Sequence, residues 1–300
     1  MNDIRVFAGA TGLNTVADPA RIPPTKDAYT DLQAVANMTI TSLFRINRRK
    51  GLSLLQSGVY HSLFQNKGDA FVCKTTSLYR IGSDLSLTGV RSGLNGAWLD
   101  YAQVGDLTYY VNGFDRGYVS NGTSYVWNVG AYTGPDSNRQ FDGPVSGNHL
   151  SFAMGRMFIS EGNVVWYSEP YDCSLYNKAE CFFQFPSKVL MLKPVDEGLF
   201  ISDETSTWFC RGAKPSELTA VKVASFPAIE WTVATEYVPG FEIGLEEPRL
   251  CAIWCSPEGV IAGLPSGAVY NLNKNKIIYP ETARRGFGCL VGYNYIHGME

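Results

Sequence analysis

Charge and histidine are scarce in this chain: charged residues occupy 18% of its 300 positions, histidines number three, and the formal net charge is -3. So weak and slightly acidic a field excludes tight binding of nucleic acid through counterion release. Long apolar runs are missing too, and none approaches the roughly 20 residues that a bilayer-spanning helix needs. The chain does not start with the cationic, apolar and small-residue succession of a secretory signal. A soluble protein without its own export signal, and without membrane insertion, is expected. Also absent are a phosphate-cradling glycine loop, a Gly-x-Ser-x-Gly elbow, a His-Glu-x-x-His run and a calcium-loop pattern.

Cysteine is present but unorganised. Cys73, Cys173, Cys181, Cys210, Cys251, Cys255 and Cys289 make an odd set scattered among apolar neighbours, which reads as reduced thiols made in a cytoplasm rather than a disulfide framework. Cys251 and Cys255 would share one face of a strand. No second Cys or His pair follows to complete a tetrahedral zinc site, so no metal and no other cofactor is expected.

Aromatics and turn formers are abundant instead. Tyr 17, Phe 16 and Trp 6 suit pleated, half-buried surfaces, while Gly 30 and Pro 15 supply turns for many short strands. A short apolar strand, a Gly or Asn turn and an aromatic-rich second strand recur down the chain. Phe71, Val72 and Cys73 lead to Leu78, Tyr79, Arg80 and Ile81; Leu99 and Tyr101 lead through Gly105 and Asp106 to Tyr109, Tyr110 and Val111. Three-stranded meanders start near Leu150, Leu190 and Ala252. With Phe71, Leu99, Leu150, Leu190 and Ala252 taken as equivalent, the separations are 28, 51, 40 and 62, and the longest leaves room for a further unit around Trp231 and Val238. Such spacing suits the four-stranded blades of a β-propeller. A sandwich would need an unusually large core for so many strands. The expected fold is therefore all-β, a β-propeller of six blades, with seven as the alternative.

The first 35 residues read as an extended arm, broken by Pro19, Pro23 and Pro24, around one short strand at Ile4, Arg5, Val6 and Phe7. Residues 36–300 would form the propeller. Its ring would be closed by pairing the region from Met38 to Phe44 with the region from Gly288 to Ile296, removing open edges. Arg45, Arg48, Arg49 and Lys50 form a basic cluster on a hairpin turn, ordinarily a solvated loop. As an interface it would meet an acidic patch on a neighbouring subunit, for which Glu242, Glu246 and Glu247 are candidates.

Chemistry is weakly signalled. His61 and His149 stand at strand starts and His297 near the C-terminus, where satisfied structural roles are the ordinary case. The run Asp203-Glu204-Thr205-Ser206-Thr207-Trp208 partly matches the Asp-box turn of sialidase-type propellers, which is structural; Ile201 and Thr205 depart from it. No catalytic carboxylate pair is recognisable and no enzyme activity is expected.

Several segments carry a resemblance. They are Ala36-Asn37-Met38-Thr39-Ile40, Arg48-Arg49-Lys50-Gly51, Gly58-Val59-Tyr60-His61-Ser62-Leu63-Phe64, Leu78-Tyr79-Arg80-Ile81, Ile253-Trp254-Cys255-Ser256-Pro257-Glu258-Gly259-Val260, Gly267-Ala268-Val269-Tyr270-Asn271-Leu272 and Ala283-Arg284-Arg285-Gly286. From residue 36 onward the chain resembles phage and prophage β-propeller structural proteins encoded among tail genes. The resemblance implies a tail hub or nozzle subunit of a short-tailed phage, assembled in the host cytoplasm and located in the virion tail. It implies a homo-oligomeric ring, expected to be six-fold, contacting other tail proteins such as the adaptor and a fibre or spike. DNA would pass through it during ejection without specific binding. The alternative it leaves is a host-surface receptor-binding module for glycans, or a fibre-attachment module. The chain departs from the pattern between Trp127 and Gly147, where related proteins can carry an insertion and this one has a short loop.

Overall fold

A computed structural model describes residues 9–18, 22, 29–32, 34, 38–40, 45–48, 53–65, 68–134, 139–212, 217–238, 247–273, 276–277, 279, 282–291 and 294–299. No α-helix occurs among them. Strands β1 (Gly9–Leu13) and β2 (Tyr29–Leu32) pair in parallel, and β3 (Met38–Ile40) and β4 (Ile46–Arg48) form an antiparallel hairpin. Five four-stranded antiparallel sheets follow in chain order. Blade 1 holds β5 (Tyr60–Gln65), β6 (Ala70–Lys74), β7 (Ser77–Ile81) and β8 (Leu87–Arg91). Blade 2 holds β9 (Asp100–Val104), β10 (Leu107–Val111), β11 (Arg116–Ser120) and β12 (Thr123–Val126). Blade 3 holds β13 (His149–Ala153), β14 (Arg156–Glu161), β15 (Val164–Tyr167) and β16 (Phe182–Gln184). Blade 4 holds β17 (Val189–Val195), β18 (Gly198–Asp203), β19 (Thr207–Arg211) and β20 (Thr219–Ala224). Blade 5 holds β21 (Ala234–Val238), β22 (Arg249–Ser256), β23 (Gly259–Gly263) and β24 (Val269–Asn271). A final hairpin pairs β25 (Gly286–Val291) with β26 (Asn294–Met299). Among the described residues the protein is a β-propeller of five blades.

Local chemistry accounts for the strands. In blade 3, Met154 (φ 50°) and Gly155 (φ 69°) both take the left-handed conformation that a two-residue hairpin turn matching strand twist requires. Middle strands carry apolar residues on both faces because blades cover them from both sides: every residue of β18 is buried, whereas the outer strand β20 is largely exposed. Apolar layers therefore lie between blades. Phe71, Cys73 and Leu78 of blade 1 pack with Tyr101, Tyr110 and Val119 of blade 2. Tyr109 and Val111 meet Leu150, Met157 and Ile159 between blades 2 and 3. Phe158, Val165 and Tyr167 meet Leu192, Leu199 and Ile201 between blades 3 and 4. Phe200 and Phe209 meet Trp254 and Ile261 between blades 4 and 5. Cys255, Tyr279 and Ala283 then pack against Tyr295 and Met299, joining blade 5 to the last hairpin.

The count of five corrects the expectation of six or seven blades. The five landmark residues are not equivalent: Phe71 and Ala252 lie on second strands, whereas Leu99, Leu150 and Leu190 lie at or beside first strands. The first strands start at Tyr60, Asp100, His149, Val189 and Ala234, at separations of 40, 49, 40 and 45. The segment expected to hide another blade is β21, the first strand of the blade whose remaining strands had already been counted. The end regions form two separate hairpins, β3 with β4 and β25 with β26, and no ladder joins them among the described residues. Around β1 and β2, the Thr15 N–H donates to the Lys276 carbonyl at 2.7 Å and Lys276 Nζ lies 3.2 Å from Asp31 Oδ1. These contacts tie the early residues to the turn beyond blade 5.

Candidate functional site

The first strand β13 packs against the first strands β9 and β17 of its two neighbouring blades, so these are the inner strands. Blade repetition brings their leading ends to one end of the axis. Polar and aromatic side chains occupy those leading positions: Trp98 and Asp100 at β9, His149 at β13, Lys188 before β17, Glu230 and Trp231 before β21, and Arg285 before β25. Lys193 reaches the cluster from within β17.

Asp100 and Glu230 are almost fully buried, as is His149 between them. Asp100 Oδ1 accepts from Lys193 Nζ at 2.5 Å and from the Tyr101 N–H at 2.9 Å, and its Oδ2 accepts from the Leu150 N–H at 3.1 Å. His149 Nδ1 lies 3.6 Å from Asp100 Oδ2. His149 Nε2 lies 3.4 Å from Glu230 Oε1, an ion-pair distance without hydrogen-bond alignment, so Nε2 has no hydrogen-bond partner. Glu230 also faces Lys188 Nζ at 3.3 Å and Arg285 Nε at 3.6 Å. Blades 2 to 5 and the last hairpin thus share one ionic network.

Its titration follows from geometry. Burial alone would raise the Asp100 pKa, but the Lys193 ammonium and His149 outweigh it and hold the carboxyl at about 2. Burial likewise opposes the charged form of Glu230, and His149 with Lys188 brings it below the ordinary value. For His149, burial disfavours the imidazolium, yet Asp100 and Glu230 together raise its pKa. A protonated His149 gives four cations (His149, Lys188, Lys193 and Arg285) against two carboxylates.

Aromatic rings line the same end. Trp231 packs on His149 with centroids 4.9 Å apart, Trp98 meets Trp231 at 5.7 Å and 53°, and His61 stacks on Trp98 at 6.5 Å. Both tryptophans are half-buried. Trp231 has φ 69°, a left-handed conformation costing a bulky residue about 1–3 kcal/mol. Neighbouring strands impose it: the Ile229 N–H donates to Cys255 O, the Glu230 N–H to Arg284 O, and the Gly286 N–H to Glu230 O.

The residues expected to form interfaces are distributed differently. Arg48 ends β4 and Glu247 precedes β22, both exposed. Ile4, Arg5, Val6, Phe7, Arg49, Lys50 and Glu246 lie outside the described residues. His61 is satisfied by Ser62 Oγ at 2.7 Å and Thr75 O at 2.9 Å, and His297 by Tyr279 OH at 3.0 Å. The Asp203 carboxylate is fully buried. Its Oδ1 accepts from the Thr205 N–H, the Thr205 hydroxyl and the Ser206 N–H, and its Oδ2 from Trp208 Nε1. That occupies it with locking the β18–β19 turn. Six cysteines are buried and Cys289 is exposed; burial pushes the Cys73 thiol up to about 11 and Cys210 to about 12. Among the described residues no group of three or more His, Cys, Asp or Glu is placed to hold a metal ion.

Sequence reasoning singled out His149 only as a strand start and missed Asp100, Lys188, Glu230 and Arg285. The available signal was positional: a charged residue at or just before several apolar inner strands.

No family model matches the chain, and no curated protein matches it. Among solved structures it is similar to virginiamycin B lyase from Staphylococcus aureus, at 11% identity over 93% of this chain and 90% of that one, with a TM-score of 0.47. A catalytically inactive form of that enzyme with Quinupristin aligns at 12% identity over 80% of this chain and 92% of that one, TM-score 0.43. The N-terminal domain of Nup159 aligns at 9% identity over 79% and 71%, TM-score 0.43. Likenesses this distant carry no argument about activity.

Proposed function

We propose that this protein is a structural building block of a bacteriophage tail, a subunit of the hub or nozzle ring beneath the portal and adaptor, acting by contact without turnover. The observation that carries this reading is the run leading into blade 1. Residues 53–59 form no strand and are all exposed, with Leu54 at 83%, Leu55 at 67% and Val59 at 73% exposure, and Leu63 follows at 72%. Single exposed apolar residues are ordinary, but four within ten positions make an apolar run suited to a partner surface. A patch received elsewhere on a neighbouring copy makes a head-to-tail contact, which closes into a ring when the rotation allows. The resemblance of residues 36–300 to tail propellers supports the setting, and the net charge of -3 suits a ring through which DNA slides.

Co-expression with portal and adaptor proteins tests the reading. The chain should co-elute with them as a ring, and L54D/L55D should elute free while keeping the wild-type melting temperature. A wild-type chain that stays free would overturn it.

A second reading, a module binding host-surface glycans, is favoured by the axial end, where the Trp98–Trp231 pair packs on His149 and His149 faces Glu230, the carboxylate that Lys188 and Arg285 also face.

A further inference from the structure

We propose that the axial mouth binds the ring of an acidic sugar, a hexuronate or related carboxylated saccharide, with Arg285 and Lys188 receiving the carboxylate and Trp98 and Trp231 receiving the ring. The proposal rests on the glycan-binding reading and names its site and ligand class.

Cations with spare N–H groups converge there on Glu230. The Arg285 side chain is 57% exposed and its Nε lies 3.6 Å from Glu230 Oε2; among the described residues no hydrogen bond engages its guanidinium fork, the geometry that matches a carboxylate. Lys188 is 40% exposed and donates one hydrogen bond, to Glu230. Beneath them the buried His149 faces Glu230, with Nε2 3.4 Å from Oε1, and adds a third cation to that carboxylate when protonated. Glu230 does not repel an incoming anion, because Lys188, Arg285 and His149 surround it and Lys193 neutralises Asp100.

The aromatic geometry selects the rest of the ligand. Trp98 and Trp231 meet at 53° with centroids 5.7 Å apart, an angled pair of half-buried rings rather than the parallel slot that clamps a flat base. Two solvent-reaching cations on a net-acidic chain suit one carboxylate better than a run of phosphates.

Titration of the full chain with D-glucuronate, D-glucose, AMP and acidic capsular polysaccharide, followed by tryptophan fluorescence and ligand-detected NMR, tests the site. For a single ring on an open mouth the dissociation constant should be on the order of 1 mM. Glucose should bind at least about tenfold more weakly, as should glucuronate to K188Q/R285Q. The double variant removes two of the three cations facing the buried Glu230, so it should melt below wild type, and its binding is compared at a temperature where circular dichroism shows both proteins folded. W98L should weaken glucuronate and glucose alike. Polysaccharide binding without glucuronate binding, or binding indifferent to K188Q/R285Q, would overturn this site and leave the glycan reading standing. Failure of every saccharide would remove both. Tighter binding of AMP than of glucuronate would reassign the mouth to nucleotides and overturn the proposal.

Discussion

Between the blades the interior is apolar and closely packed; along the axis it is ionic. Trp254 is fully buried against Phe200, with centroids 5.4 Å apart, in a layer that any well-patterned pair of sheets can form. His149 is nearly as buried, yet its neighbours are Asp100 and Glu230. Ion pairs of this kind seldom add net stability over apolar packing of the same shape, though breaking one is costly. The layers therefore account for the fold, and the axis holds chemistry that the fold itself does not require.

That contrast is open to attack in both regions. Trp254→Ala should be the most damaging single change, costing about 3–5 kcal/mol in denaturant unfolding. A cost near 1 kcal/mol would show that the layer between blades 4 and 5 collapses around the loss. Asp100→Asn should cost about 2–3 kcal/mol, because Lys193 then loses its charged partner, and it should lower the His149 pKa measured by NMR. An unchanged imidazole titration would show that Glu230 alone holds the proton.

Acid should reach the axis before the layers. The Asp100 carboxyl stands at about 2 against an ordinary 3.8, so its contribution of about 2 kcal/mol is complete above pH 4 and fades as pH falls towards 2. Glu230, also lowered, adds a loss in the same direction. His149 has the opposite sign. Its raised pKa contributes fully below pH 6.5, and the contribution disappears as pH rises through the folded value. Stability from the axis should therefore be greatest at mildly acidic pH, and Asp100→Asn should flatten the acid limb; a variant as acid-sensitive as wild type would place the effect elsewhere. The smallest change in stability is expected on the outside: Leu54→Ser with Leu55→Ser should shift folding by less than about 0.5 kcal/mol. A large shift would show that this segment packs against the blades.

How much of this was legible follows the same division. Tyr109-Tyr110-Val111 and Met157-Phe158-Ile159 are strand signatures because each lies under blades on both faces, so sheet class and propeller architecture could be read from local pattern. The blade count could not be read the same way. Phe71 and Leu99 look alike in sequence although one is on a second strand and the other beside a first, and loops of unequal length hide the period. The axial site was less visible still. Lys193 and Asp100 stand 93 residues apart, and Glu230 lies in an isolated β-bridge outside the named strands, so only the assembly of blades 2 to 5 side by side brings them together. The partial Asp-box at Asp203 was readable because all its bonds fall within six residues.

The axis is also where catalysis would have to reside if the protein had any, since titratable groups converge there. The most direct measurement of action by contact is therefore a turnover assay: the purified chain incubated with a panel of capsular and lipopolysaccharide glycans, with released fragments followed by mass spectrometry. The account predicts binding at most, with no fragments above the protein-free control. Saturable cleavage that is lost in His149→Ala, with the fold retained by circular dichroism, would contradict it.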